Sequence, residues 1–493
     1  MLTDTYGTSL SLLTDLYQLT MGYGYWQNKM HQRPSVFHLF FRSCPFGGQY
    51  AIAAGLQTAI DWLQAFEVTE EDVAFLATLK GNDDKPLFND AFLAELNGLR
   101  LEVDIDAIPE GTVVFAHEPL IRVTGPLWQC QWVETALLNI VNFQTLIATK
   151  AARVCDAAMG EPVLEFGLRR AQGIDGALSA SRAAYIGGCA ATSNVLAGKL
   201  FGIPVKGTHA HSWVMSFDDE LSAFDAYADA MPNNCVFLVD TYDTIVGVNH
   251  AIEVGKRLRD SGHEMVGVRL DSGDLAQLSM DARKLLDDAG FPDASIVASN
   301  DLDEHEIIKL KAAGAKIAVW GVGTNLVTAR DQPALGGVYK LAAIADNEGK
   351  WQPKVKLSEL AIKTSTPGIQ QVRRYYDTES MIGDVIFSEL IGPPETDHAE
   401  SLAVPLDPTP DQPTPLVQLA DATQSHDLLI AVQRGGKSVA TLPNLGEVRD
   451  YAVQQRSNLP DDVRSIDDGV RYPTGLETRL AQQKRDLISD ARS

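Results

Sequence analysis

Between Pro162 and Ile344 the chain repeats one rhythm: a short apolar segment, a polar or glycine-rich break, then a longer stretch with helical spacing. The short segments start at Val163, Ile203, Val236, Met265, Ser295, Lys316 and Gly337. Between them, Ala282–Gly290 and Glu304–Gly314 place apolar residues at helical intervals and end on glycine, the residue that stops a helix in the left-handed conformation. Apolar strands alternating with helices imply βαβ units and a parallel sheet, hence an α/β fold. Seven strands packed into about 180 residues fit a barrel better than an open doubly wound sheet. In such barrels the chemistry gathers at the C-terminal strand ends. There this chain carries Glu165-Phe-Gly-Leu-Arg-Arg170, Thr208-His-Ala-His-Ser212, Asp240-Thr-Tyr-Asp-Thr244, Arg269-Leu-Asp-Ser-Gly-Asp274, Ser299-Asn-Asp301 and Gly321-Val-Gly-Thr324.

The flanks follow another pattern. Residues 1–134 mix helical pieces (Leu56–Phe66 and the segment from Thr69, an N-cap hydroxyl followed by three acids) with strand-like ones from Val36 and Gly111. Residues 346–493 turn Pro- and acid-rich over about 391–419 and recover helical character at Glu447–Ser457 and Gly475–Ile488. A chain of 493 residues exceeds one compact core. The expected organisation is a central domain over 135–345 and a second, discontinuous α/β domain built from residues 1–134 and 346–493.

Charge and composition narrow the function classes. A formal charge of -24 argues against a nucleic-acid partner, since phosphate backbones need clustered Lys and Arg. No apolar run approaches the roughly 18 residues that span a bilayer, and the first residues lack the basic and apolar regions of a secretory signal. Five scattered cysteines without a Cys-x-x-Cys pair fit reduced thiols and a cytoplasmic location.

The strand-end clusters admit both chemical and structural readings. Phe166 beside Arg169 and Arg170 can stack a flat ring and neutralise its carboxylate, or the arginines can pair with structural acids. Arg269, Asp271 and Asp274 can orient ribose hydroxyls or hold a Mg²⁺ that carries pyrophosphate, or an Asp can cap the next helix. Asp240, at an adjacent strand end, can orient a catalytic histidine or cap the next helix. The glycines of Gly321-Val-Gly-Thr324 let backbone N–H groups approach phosphate oxygens, as do Ser299–Asp301 on the neighbouring strand. Histidines 209 and 211 would share a face only if strand geometry continued through both, so one is expected to be chemical. A metal pair lacks a third ligand at the usual spacing, and no metal site fixed by the protein alone is expected.

Taken in order, Thr14-Asp-Leu-Tyr-Gln-Leu-Thr-Met21, Glu165-Phe-Gly-Leu-Arg-Arg-Ala-Gln-Gly-Ile-Asp-Gly176, Gly207-Thr-His-Ala-His-Ser212, Val239–Thr244, Arg269–Leu275 and Gly321–Thr324 resemble the motifs of the nicotinate phosphoribosyltransferases, a type II phosphoribosyltransferase family. The resemblance runs from residue 14 to the Gly475-Leu-Glu-Thr-Arg-Leu480 tail. It implies an incomplete TIM-like α/β barrel with a discontinuous α/β sandwich domain. It also implies condensation of nicotinate with phosphoribosyl pyrophosphate to nicotinate mononucleotide and pyrophosphate in NAD salvage, coupled to ATP hydrolysis. Mg²⁺ would enter with phosphoribosyl pyrophosphate or ATP, and active sites would be shared across a head-to-tail homodimer. By this resemblance His211 is the phosphorylated histidine and Asp240 the acid that holds it. Phe166 stacks the pyridine, and Tyr17 of a partner subunit closes the other face. Arg169 and Arg269 hold nicotinate and the ribosyl phosphates, with Ser212 and Asp271 also on substrate. The backbones of Ser299, Asn300, Asp301, Gly321, Gly323 and Thr324 cradle the 5′-phosphate.

Nicotinamide-using relatives carry an Asp after the ring-stacking motif, whereas Gly187–Asn194 here contains no acid, which favours nicotinate. Three alternatives are a nicotinamide phosphoribosyltransferase, a quinolinate-using enzyme with a denser cationic cluster, and a barrel that senses phosphoribosyl ligands without turnover.

Overall fold

A computed structural model describes residues 6–358, 364–394, 404–405 and 422–492. The chain divides into two compact units, Ile147–Pro333 and the joined ends Met1–Leu146 with Ala334–Ser493. Against boundaries expected at 135 and 345, each division lies about a dozen residues further in. Helix Glu134–Ala157 runs across the first, and a strand of the outer unit, Gly337–Ala345, follows the second.

The inner unit is built on a six-stranded parallel sheet ordered Ala191–Thr192, Val163–Glu165, Val319–Val322, Ser295–Ala298, Gly267–Leu270, Val236–Leu238. From Val236 onward each strand lies beside its successor in sequence, and the last, Val319–Val322, returns to pair with Val163–Glu165. Val268, Leu270, Ile296, Ala298, Trp320 and Val322 are buried, as strands covered on both faces require. The expected strand at Ile203 is reduced to one parallel bridge between Val205 and Thr192.

Gly337–Ala345, expected as a seventh parallel strand, instead pairs antiparallel with Pro34–Phe41 in the outer unit. An apolar run specifies burial but not the direction of its partner, which explains the difference.

Capping residues set where the helices of the inner unit begin. Asn194, Asp219, Asp243, Asp274 and Asp303 each accept a backbone N–H of the first helical turn. Each such cap is worth about 1 kcal/mol. Helices Leu275–Asp288 and Glu304–Ala312 end next to Gly290 and Gly314, both with positive φ, as their sequences require.

The outer unit contains a seven-stranded antiparallel sheet in which Ile430–Arg434, from the C-terminal part of the chain, pairs with Asp104–Ala107 from the N-terminal part. Both chain ends therefore contribute to one layer. A second sheet joins Thr474–Leu476, Ser380–Ser388, Gln370–Asp377 and Gln424–Asp427. Buried within this unit, Arg374 pairs with Asp384 at 2.6 Å, while Tyr472 donates to the same carboxylate at 3.2 Å. Thr69 starts its helix through a reciprocal capping box with Asp72, and the tail forms helices Leu445–Ser457 and Thr478–Asp490. Most of the Pro- and acid-rich stretch at 391–419 lies outside the described residues.

Candidate active site

The C-terminal ends of the parallel strands bring most of the candidate residues together in the inner unit. Directly after Val163–Glu165, Phe166 N–H donates to the Val322 carbonyl at 2.8 Å, which fixes the start of the turn. The ring lies against Gly321: a Cβ there would stand 2.7 Å and 2.8 Å from two ring carbons. The Arg269 guanidinium carbon lies 5.8 Å from the ring centroid. Behind the turn, the buried Glu165 carboxylate accepts from Gly167 N–H, from Ser181 Oγ at 2.8 Å and from Thr192 Oγ1 at 2.6 Å. The 3₁₀ turn Leu168–Arg170 then carries Arg169 into a cavity of about 230 Å³. Phe166, Arg169, Ser193, Thr208, His209 and Arg269 line it, and among the described residues no acid does.

The two histidines separate. His209 is buried at 7% exposure, and its Nε2 accepts from Leu238 N–H at 3.2 Å. Burial, with Arg269 and His211 adding to it, pushes its pKa down to about 4. His211 opens the short helix His211–Val214 with 40% of its side chain exposed. Its Nδ1 meets the Thr241 hydroxyl at 3.1 Å, and its Nε2 stands 3.8 Å from Asp271 Oδ2.

Asp240, expected to hold the His211 imidazole, is committed elsewhere. Its Oδ2 accepts from Asp271 N–H at 2.8 Å and from Ser272 Oγ at 2.7 Å. The donors of the Asp271–Ser272 turn have drawn the carboxylate to themselves, and Thr241 and Asp271 stand beside the imidazole instead. The other oxygen, Oδ1, is buried and finds no hydrogen-bond partner among the described residues. Arg269 binds Asp271 at 2.9 Å, Ser299 Oγ at 2.8 Å and Thr208 Oγ1 at 3.0 Å. Burial pushes the Asp271 carboxyl up, but the Ser299 hydroxyl and the Arg269 guanidinium outweigh it and hold the pKa below the usual range.

Beyond Ser295–Ala298 the backbone is strained. Asn300 and Asp301 adopt φ of 94° and 34°, rare for residues with a side chain. The Asn325 amide, one residue past Thr324, donates to the Asp301 carbonyl at 2.8 Å and the Leu302 carbonyl at 3.2 Å, so it ties this loop to the Gly321–Thr324 loop. Gly323 sits where a Cβ would come 3.2 Å from the Phe166 carbonyl oxygen. The Ser299 N–H is taken by the Leu270 carbonyl at 2.9 Å, so the backbone donors available from this loop start at Asn300. A groove of about 790 Å³ opens beside it, with Asp274, Asn300, Asp301 and His305 among its walls.

Two candidates remain, Ser212 and Tyr17. Ser212 lies on the exposed side of its helix, where its carbonyl accepts from Ser216 Oγ at 2.6 Å. Tyr17 belongs to the outer unit, on helix Leu16–Gln27, with 47% exposure. Burial and then Glu134 push its phenol up to about 12. Four residues of the inner assembly, Ser193, Thr208, Thr241 and Asn325, carry no role in the sequence reading. Ser193 follows Thr192 and precedes the cap Asn194, and that polar run between two elements was the available signal.

Comparison with known proteins places the chain in a family. Family models for the nicotinate phosphoribosyltransferase N-terminal domain, the nicotinate phosphoribosyltransferase family and its C-terminal domain match residues 12–142, 162–379 and 369–484. The nicotinate phosphoribosyltransferase of Bacillus subtilis is 43% identical over 486 residues, covering 98% of this chain and 96% of that protein. The crystal structure of human nicotinic acid phosphoribosyltransferase superposes with a TM-score of 0.81 at 34% identity, covering 96% and 99% of the two chains. A nicotinate-nucleotide pyrophosphorylase from Pyrococcus furiosus, 22% identical, shares the fold with a TM-score of 0.67 over 91% of this chain and 96% of that one. With family models over most of its length and full-length relatives well above 30% identity, the chain belongs to the nicotinate phosphoribosyltransferase family.

Proposed function

We propose that this chain condenses nicotinate with phosphoribosyl pyrophosphate to give nicotinate mononucleotide and pyrophosphate, a transferase step of NAD salvage. One observation carries the reading. The cavity beside His211 and Asp271 is walled by an aromatic ring and two guanidinium groups, with no acid among the described residues of its lining. Such a pocket suits a flat ring bearing a carboxylate. A nicotinamide-using site would gain from an acceptor for the amide, and Ser193 stands here where an acid would repel nicotinate.

The pyridine nitrogen has no proton to lose, so its attack on the anomeric carbon needs no general base. Phe166, Arg169 and Arg269 supply position, and holding the ring in line with the leaving pyrophosphate accounts for much of the rate. The 5′-phosphate reading rests on the strained Asn300–Asp301 loop and the Gly321–Thr324 backbone.

A Mg²⁺ entering with phosphoribosyl pyrophosphate fits the donors present, because such ions usually take one or two carboxylates and complete their shell from phosphates and water. Asp240, with its buried unpartnered Oδ1, and Asp271 would hold it. When bound it supplies charge to the leaving pyrophosphate.

For ATP coupling, His211 accepts the terminal phosphoryl group on an imidazole nitrogen with release of ADP, and water later removes it. The exposed ring at the cavity mouth, steadied by Thr241, supports this assignment. A homodimer with shared sites is supported by the exposed apolar face of Leu13, Leu16, Tyr17 and Met21. Among the described residues no helix is long and apolar enough to cross a membrane. A cytoplasmic location fits the scattered thiols, none of which is joined in a disulfide among the described residues.

The test is turnover of nicotinate, nicotinamide and quinolinate side by side with phosphoribosyl pyrophosphate and Mg²⁺, read as pyrophosphate release. Release with nicotinate alone supports the proposal. Release with nicotinamide or quinolinate in preference reassigns the substrate, and none with any base favours a ligand sensor.

A further inference from the structure

We infer that His209 is a positioning residue: its ring stands in for the missing neighbour at the open edge of the parallel sheet and holds the segment carrying His211 at the mouth of the cavity. The inference rests on the function proposed above.

Val236–Leu238 is the last strand of its sheet, and at the opposite edge the sheet ends with Ala191–Thr192 and its bridge to Val205. An edge strand leaves backbone N–H groups without a ladder partner, and a buried one costs free energy unless something accepts from it. Leu238 is buried, and its N–H donates to His209 Nε2 at 3.2 Å. A ring nitrogen that accepts cannot carry the proton, so the neutral ring holds it on Nδ1, 3.5 Å from the Ala210 carbonyl. The ring is packed against Phe224, Tyr227 and Phe237 at centroid distances of 5.9, 4.8 and 6.5 Å. Burial favours the same uncharged state, and the charged or titratable groups facing the ring are Arg269, His211 and the Tyr227 phenol.

This anchor sits between two contacts of the proposed chemistry. One residue before it, Thr208 accepts from Arg269, and two residues after it His211 meets Thr241, which lies just past the same edge strand. The bond to Leu238 therefore sets the spacing between the 207–211 segment and the 238–241 turn. Displacement of such a segment by about 1 Å can cost on the order of a hundredfold in rate.

Three variants separate the roles. His209→Phe keeps an apolar ring but removes the acceptor. His209→Asn places its amide near the Nδ1 position and misses the Leu238 N–H, whereas the Gln Oε1 of His209→Gln reaches the Nε2 position. Two readouts are taken on each folded protein: the rate of transfer of ATP-derived phosphate to the enzyme, and hydrogen exchange of the peptide containing Leu238. The expected result is roughly tenfold or greater loss of transfer in the Phe and Asn variants, with faster exchange at Leu238, and recovery of both in the Gln variant. Unchanged exchange in His209→Phe, or a Gln variant as impaired as the Phe variant, overturns the inference. If the wild-type protein forms no nucleotide and takes no phosphate, the functional reading fails, while the exchange data still decide whether His209 holds the edge.

Discussion

Replacing Gly321 by Ala tests the placement of the stacking ring. The new Cβ would lie 2.7 Å from one carbon of Phe166, whereas ordinary contact begins at 3.4 Å. The backbone of Gly321 cannot retreat, because its strand is paired on both sides and Gly321 is in register with Leu164. The ring must therefore move by about 0.7 Å or turn. Overpacking of this kind costs about 1–3 kcal/mol of stability. An aromatic stack is worth about 0.5–1.5 kcal/mol, so its loss raises the KM for nicotinate roughly two- to tenfold. The assay is steady-state kinetics with nicotinate varied at saturating phosphoribosyl pyrophosphate, then the reverse, on protein whose melting temperature is recorded. A folded Gly321→Ala enzyme with unchanged nicotinate KM would refute the placement of Phe166 as the stacking ring. So would a change confined to the KM for phosphoribosyl pyrophosphate.

Two further outcomes concern stability. Arg374→Met leaves the buried Asp384 without its cation, beside Glu118, whose pKa burial and then Asp384 push well above the usual range. The expected loss is about 3–5 kcal/mol by chemical denaturation, and a loss below about 1 kcal/mol would show that the pair is not isolated from solvent. Because burial pushes the pKa of His209 down to about 4 in the folded protein, below the ordinary imidazole value of about 6.5, the unfolded chain takes up the proton first. Its contribution to stability is therefore complete above about pH 6.5 and is lost as pH falls toward 4. Between pH 7 and pH 5 wild type should lose about 2 kcal/mol more than His209→Gln, and equal losses in the two proteins would contradict the neutral buried ring.

The alternation from Val163 to Val322 was legible because strands covered on both faces need apolar runs, and helices between them need caps and stops. What the runs do not encode is direction: Gly337–Ala345 carries the same kind of residues and joins an antiparallel sheet. The acids at the strand ends were legible as a group but not individually. Asp243 and Asp274 cap helices, while Asp240 and Asp271, three residues earlier in each case, turn into the site. Both jobs suit an acid after a strand, and the backbone path that separates them appears only in three dimensions. Ser193 and Thr241 were missed because a hydroxyl in a short polar turn has no periodic or charge signature. The histidines were separable only through Leu238: its N–H claims His209 and leaves His211 partly exposed beside Thr241 and Asp271.

The most direct test of the account measures nicotinate mononucleotide and ADP together, in reactions containing nicotinate, phosphoribosyl pyrophosphate, ATP and Mg²⁺, for the wild-type protein and His211→Asn. The account predicts that wild type forms both products and that His211→Asn forms nucleotide slowly without ADP. No nucleotide from wild type, or undiminished ADP formation by His211→Asn, would contradict it.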